Sequence, residues 1–357
     1  MAPFEEMSGG ETARTCKTFT ADEATEASPA LPAKATGSVW FLLVPPSATL
    51  DGPRAAPPSL PNRPRTSREH TFSPRELAAI VGVSESSMKR WIDSGEVAAA
   101  RTAGGHRRIS RREAVRFIRE RALPIADLSA LGLAELAGVP EAQAAGPLTA
   151  ELLVEALEAR DARRLRSLVV AEYVRGAPVA ALCDGPLREM LHHAGELWQE
   201  NESGIGVEHE ATDVVIQALN QIRSLVPPPR PDAPVAVGGA IAGDPYLIPS
   251  LMAATVLEDL GYAVGNLGPN TPAAVLAGTA RQRNAQLVWF SVSALKSEEE
   301  LRRARAELVK LEEAGTSVIV GGQQAEEDAL SGLNVLPSMQ ALASEAERIL
   351  VTRNGDR

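Results

Sequence analysis

The chain has 357 residues, 44% of them hydrophobic and 23% charged, which allows two or three buried cores and excludes a wholly disordered polypeptide. Its two cysteines, Cys16 and Cys183, are too few and too far apart for a disulfide framework or a thiolate zinc site, and fit a reducing cytoplasm. The net charge of −10 argues against nucleic acid, yet its distribution is uneven: between Arg63 and Arg121, 14 lysines and arginines stand against 7 acidic residues, leaving the rest at −17.

No stretch approaches the roughly 18 apolar residues of a membrane span, and the N-terminus carries Glu5, Glu6 and Glu11 where a signal peptide has basic and apolar residues. A soluble cytoplasmic protein with no membrane partner is expected. Residues 1–68 are rich in Ala, Pro, Ser and Thr, with prolines from Pro45 to Pro64 excluding long helices, so a disordered extension is expected there. From Thr71 the pattern is two short amphipathic helices. Ser73 is placed to cap the first, with Pro74 at its first position and Glu76 three residues on. Gly82 allows the turn and Ser84 caps the second helix, whose Met88, Trp91 and Ile92 face a core while Ser86, Ser87, Lys89 and Arg90 stay free to enter a major groove. Arg101-Thr-Ala-Gly-Gly-His-Arg-Arg108 then reads as a hairpin in which Arg101, His106, Arg107 and Arg108 supply phosphate donors. Arg119 lies on the following helix and should matter less for specificity. Double-stranded DNA is the partner this segment implies.

An Ala-, Gly- and Pro-rich linker is expected over 123–147. Apolar periodicity over 148–226, punctuated by Gly176, Pro178, Gly185 and Gly204, predicts four helices. After Pro227 to Pro234, short apolar runs at Val235 to Ile241, Ala263 to Leu267, Leu287 to Val292 and Ser317 to Val320 alternate with helix-length segments, which predicts a doubly wound parallel sheet over 227–357. Met339 to Val351 reads as a closing helix. The fold class is multidomain α + α/β, with a winged helix-turn-helix over 69–122 and a helical bundle over 148–226. No Ser/His/Asp or Cys/His catalytic arrangement stands out; the only clustered histidines are His192, His193 and His209, and no metal site is assigned.

The run from Phe72 to Arg112, with its Arg-Thr-x-Gly-Gly-His-Arg-Arg wing, resembles the MerR family of DNA-binding regulators. The body resembles the Rossmann-like cobalamin-binding fold of methionine synthase and the mutases. That fold's signature is Asp-x-His-x-x-Gly, then Ser-x-Leu, then Gly-Gly, matched here by Asp244, by Ser293 and Leu295, and by Gly321 and Gly322. Trp198, nine residues, then Glu208-His209 is similar to the Trp-x9-Glu-His motif of light-responsive, cobalamin-dependent MerR-type repressors, in which a helical bundle caps the adenosyl group. The resemblance implies a repressor that binds adenosylcobalamin, senses light and assembles as a homo-oligomer, dimer or tetramer. Three positions depart from it. Tyr246 stands where the signature has the histidine that ligates cobalt from below, with Pro249 in place of its glycine, and Gln199 stands where the photosensors have histidine after the tryptophan. A neutral imidazole ligates transition metals and a protonated phenol does not. Three readings therefore stay open: the cobalamin-responsive regulator, a regulator whose body binds another tetrapyrrole-like ligand or only assembles subunits, and a corrinoid-enzyme component.

Overall fold

The computed structural model describes residues 70–133, 146–200, 202–294, 296–325 and 328–355. The expected disordered extension, most of the linker, Leu295 and the Trp198 side chain fall outside the described residues.

Strand β1 (Thr71–Phe72) leads into α1 (Pro74–Ile80), α2 (Glu85–Asp93), the β2 (Ala100–Arg101) and β3 (Arg107–Ser110) hairpin, and α3 (Arg111–Glu120). The capping box forms as the sequence predicts: the Glu76 amide donates to Ser73 Oγ at 3.2 Å and the Ser73 amide to the Glu76 carboxylate at 2.6 Å. The Ser73 amide in turn holds the Glu76 carboxyl below the usual carboxylate range. Ser84 and Ser110 cap α2 and α3 through the side chain alone, accepting from the Ser87 and Glu113 amides. β3 pairs antiparallel with β1 and β2, so the hairpin is stitched to the start of the module. The segment after α3 is not a free linker at first. The Ala126 amide donates to the Ile80 carbonyl at 2.8 Å, and Leu131 and Leu133 are buried, so residues 123–133 wrap back onto the module and complete its core.

The bundle consists of α4 (Ala150–Glu158), α5 (Ala162–Val174), the short α6 (Val179–Leu182), α7 (Arg188–Glu200) and α8 (Glu202–Leu225). Gly185, read from the sequence as a break, sits inside a wide π-type turn, Cys183–Leu187, with φ −97° and ψ −108°; the chain kinks there and continues into α7. Gly204 does not end a helix either; it lies within the first turn of α8.

The sheet strands are β4 (Val235–Ala240), β5 (Ala263–Asn266), β6 (Leu287–Ser291), β7 (Ser317–Gly321) and β8 (Asn334–Val335), all parallel in the order β5-β4-β6-β7-β8. Helices α9 (Ile248–Asp259) and α12 (Met339–Gly355) cover one face, and α10 (Ala273–Gln282) and α11 (Glu298–Glu313) the other. Residues buried on both faces explain why the inner strands β4, β6 and β7 read as continuous apolar runs. The chain reverses direction across the sheet between β4 and β6, and in such sheets the crevice at that switch point, beyond the carboxyl ends of the strands, is where ligands bind. One hydrophobic core runs without interruption from the helix-turn-helix module through the bundle to the α9/α12 face, while a second fills the α10/α11 face. Among the described residues no helix is long and apolar enough to cross a membrane.

Candidate functional site

Two sites emerge. On the helix-turn-helix module, burial of Met88 fixes the inward face of α2, and Ser86, Lys89 and Arg90 are left exposed on the outward face. Ser87 is half-buried because its amide and hydroxyl meet Ser84 Oγ at 3.1 and 3.0 Å; it serves the cap. Lys89 pairs with Glu85 one turn back at 2.8 Å, whereas Arg90 and Arg101 carry no ion pair among the described residues. The wing turns tightly at Gly105, whose φ of +80° suits glycine, with the Thr102 amide donating to the His106 carbonyl at 2.9 Å. It is braced from behind by α3: Glu113 accepts from the Ala98 amide at 2.7 Å and Arg116 donates to the Glu96 carbonyl at 2.8 Å. The Glu113 carboxylate bound to Arg116 raises that guanidinium's pKa further, so the brace stays charged.

Arg107 and Arg108, expected to bind phosphates, are paired in the free chain with Asp93 and with Glu76, the latter at 3.5 Å. Exposed pairs of this kind contribute at most about 1 kcal/mol, so a phosphate displaces them at little cost. Arg107→Ala or Arg108→Ala is expected to weaken binding to all DNA alike and to lower the slope of log affinity against log salt by about 0.9 for each phosphate no longer neutralised; an unchanged slope in both variants would remove the wing from the interface. Lys89→Ala and Arg90→Ala should instead reduce the preference for operator over random DNA in competition assays, and equal losses on both DNAs would make them phosphate contacts only.

The second site lies at the carboxyl ends of the strands. Asp244, in the loop after β4, is fully buried, and its carboxylate accepts from the backbone amides of Ser293 (2.6 Å), Ala294 (3.2 Å) and Tyr246 (3.0 Å). Its carbonyl takes the Asn270 amide at 2.9 Å while Asn270 Oδ1 takes the Gly243 amide at 2.6 Å. Asp244 therefore ties together the loops that follow β4, β5 and β6, all at the switch point. Tyr246 projects outward and is 54% exposed. Ser293 Oγ is buried with no hydrogen-bond partner among the described residues, and so are Ser291 Oγ and Trp289 Nε1 on the same strand. Gly322 has φ +113°, and a methyl group there would stand 2.2 Å from the Val292 carbonyl oxygen; at Gly321 it would meet nothing nearer than 3.6 Å.

Beside this edge a cavity of about 600 Å³ opens between the bundle and the α9/α12 face of the sheet. Its walls come from Ile248, Met252 and Ala253 on α9, from Trp289 and Ser291, and from Gly321 and Gly322, with Leu336 and Met339 beyond. The bundle contributes Cys183, Asp184, Arg188 and His192 around the kink at Gly185. Burial pushes the Cys183 thiol well up, with the Asp184 charge adding to it, so it stays protonated and inert. Asp184 caps α12, accepting from the Met339 and Gln340 amides at 2.9 and 2.8 Å. Of these four, Cys183 was noted in the sequence only as a lone cysteine and His192 only as a clustered histidine, and Asp184 and Arg188 not at all, because the kink that turns them inward has no periodic signature.

The predicted residues for the upper face are placed differently. Glu208 is half-buried on α8, accepting from Thr212 Oγ1 at 3.1 Å, and His209 is exposed; neither lines the cavity. His192, His193 and His209 go to separate carboxylates, Glu196, Glu158 and Glu208, and among the described residues no cluster is placed to hold a metal ion.

A helix-turn-helix domain family matches residues 71–122, and a B12 binding domain family matches residues 149–223. The chain is a DNA-binding regulator that joins a helix-turn-helix domain to a cobalamin-binding domain. It is 27% identical over 292 residues to the HTH-type transcriptional repressor CarA of Myxococcus xanthus, a match covering 79% of this chain and 95% of the relative. Among solved structures it is similar to the monomethylamine corrinoid protein of Methanosarcina barkeri, at 15% identity over 55% of this chain and 96% of that one, with a TM-score of 0.43. It is also similar to a cobalamin-binding protein from Desulfitobacterium hafniense, at 17% identity over 56% and 98%, with a TM-score of 0.30. Both likenesses are too loose to bear on the ligand.

Proposed function

We propose that this regulator is a repressor whose body takes up adenosylcobalamin by its nucleotide tail, without histidine on the cobalt, and that occupancy governs assembly into a dimer or tetramer. The observation that carries the reading is the cavity of about 600 Å³ at the carboxyl ends of the strands, within the size range of small-molecule sites and walled mostly by apolar side chains. Ser291 Oγ and Trp289 Nε1 support it: both belong to residues on the cavity wall, and a buried polar atom without a partner among the described residues is costly unless a ligand supplies one. Gly321 and Gly322 would let the backbone approach the tail, and Asp244 would hold the Ser293 loop in place. Trp198, Glu208 and His209 would cover the upper face on the strength of the motif they share with the cobalamin-dependent repressors. The corrinoid would supply a large planar surface for the bundle and sheet to close on.

The lower cobalt position does not fit histidine ligation. Tyr246 occupies it in the sequence and its side chain is turned outward, His193 and His209 do not line the cavity, and His192, which does, approaches from the bundle. Retention thus depends on burial of the tail. The same Tyr246 favours, as a second reading, a body adapted to a different planar ligand. The reading as a corrinoid-enzyme component has no such support, since it leaves the DNA reader without a role.

Light scattering on the full chain in darkness, with and without one equivalent of adenosylcobalamin, tests the assembly step. The mass should rise two- to fourfold on binding and fall on illumination. A mass that ignores bound corrinoid would separate ligand binding from assembly and leave the body as a sensor acting within one chain.

A further inference from the structure

Three parts of the molecule meet at one polar node. Arg119 on α3 lies with its guanidinium 3.7 Å over the Tyr173 ring of α5 and donates to the Tyr173 carbonyl, to the Ala177 carbonyl at 3.0 Å, and to Asp259 at 3.1 Å. Tyr173 donates its hydroxyl to the other Asp259 oxygen at 2.9 Å. Burial pushes the Tyr173 phenol well up, helped by the Asp259 charge, so it remains a donor throughout the stable pH range. The Arg119 and Asp259 side chains are only 15% and 19% exposed, which makes this a desolvated, charge-assisted contact rather than a surface pair. Nearby, Arg112 donates to the Ser224 carbonyl at 2.8 Å, so a second point of α3 is seated on the bundle. The docked side of α3 is not the DNA-reading side: Lys89 and Arg90 stay exposed.

Asp259 is the last residue of α9, and the first two turns of that helix, through Ile248, Pro249, Met252 and Ala253, wall the cavity. The helix is 12 residues long, about 18 Å. It is buried continuously from Ser250 to Leu257, and its Thr255 hydroxyl is satisfied internally by the Leu251 carbonyl at 2.7 Å. Its last turn is clamped sideways by Glu258, which takes Arg223 of α8 through both oxygens at 2.7 Å. A packed helix so held moves as a body, not by bending.

We propose that α9 is a coupling rod: filling the cavity at its first turns is transmitted through Asp259 to Arg119 and sets how firmly the DNA reader is docked on the body. The inference takes the cavity as the sensing site from the reading above, but its test needs no corrinoid. Ala253→Phe fills the cavity from α9 itself, and Asp259→Asn weakens the node. Amide hydrogen exchange over Arg111–Glu120 in the full chain is measured for the parent, each single variant and the double variant, with strand Leu287–Ser291 as internal reference. Asp259→Asn is expected to speed exchange in α3 by about tenfold, the scale of one charge-assisted hydrogen bond, with the reference unchanged. Ala253→Phe should change α3 exchange about threefold or more, and that change should vanish in the double variant, because the connection is cut. Effects that simply multiply, or an α3 indifferent to either substitution, would overturn the coupling. If Ala253→Phe unfolds the domain, Ala253→Val gives the smaller filling with the same logic. Adenosylcobalamin at saturation, scored by its absorption, gives a further arm. Its failure to bind would count against the corrinoid reading and leave the cavity-filling pair to decide the coupling.

Discussion

Asp244→Ala is expected to destabilise the chain by about 3–5 kcal/mol, seen as a lower urea midpoint, because three backbone amides lose their acceptor at once. A buried carboxylate that accepts only from amides of its own fold is a brace, and its removal frees the loops after β4 and β6 together. Asp244→Asn keeps one acceptor oxygen but turns an NH2 toward an N–H donor, so an intermediate loss of about 1–3 kcal/mol should follow. A midpoint within error of the parent for Asp244→Ala would show that the loops hold each other without it.

The two adjacent glycines should behave in opposite ways. Gly322→Ala puts a methyl carbon 2.2 Å from the Val292 carbonyl oxygen at φ +113°, in a loop latched by the Val292 amide on the Gly321 carbonyl (2.8 Å) and by the Gln324 amide on the Val292 carbonyl (3.0 Å). Neither side is a flexible side-chain tip that can move aside. A loss of about 3 kcal/mol or more is expected, together with loss of any ligand held at this edge. Gly321→Ala meets nothing closer than 3.6 Å and faces the cavity, so stability should change by less than about 1 kcal/mol while ligand affinity falls. Equal stability for the two variants in thermal melts would mean that the Gly322 backbone relaxes freely.

The elements with local signatures were the ones legible in the sequence. The capping box at Ser73 and Glu76, the cap at Ser84 and the four apolar runs of β4 to β7 lie within a residue or two of where the pattern places them, because each is decided by neighbours in the chain. β8 was missed since two residues, Asn334 and Val335, carry no alternation to read. Gly204 misled because a glycine in a helix costs only about 1 kcal/mol, which packing of the long α8 offsets. The node was invisible for a different reason: Arg119 and Asp259 are 140 residues apart, and nothing in either local sequence marks a partner. Arg119 reads as one more basic residue of a DNA-binding module until the fold turns it toward the body. Asp244 was read as a ligand contact from its motif; in the structure its carboxylate accepts from the Ser293, Ala294 and Tyr246 amides, a pairing across 49 residues that no local pattern marks.

On the proposed reading the body retains a corrinoid by its tail alone, with no imidazole on cobalt. The most direct measurement is the visible absorption spectrum of the full chain after reconstitution with adenosylcobalamin in darkness and removal of free ligand, repeated for His192→Ala, His193→Ala and His209→Ala. Stoichiometric corrinoid is expected in the parent and an unchanged spectrum in all three variants, with Gly321→Ala lowering the amount retained. A protein fraction that carries no corrinoid, or an imidazole-type spectrum abolished by any one histidine substitution, would contradict it.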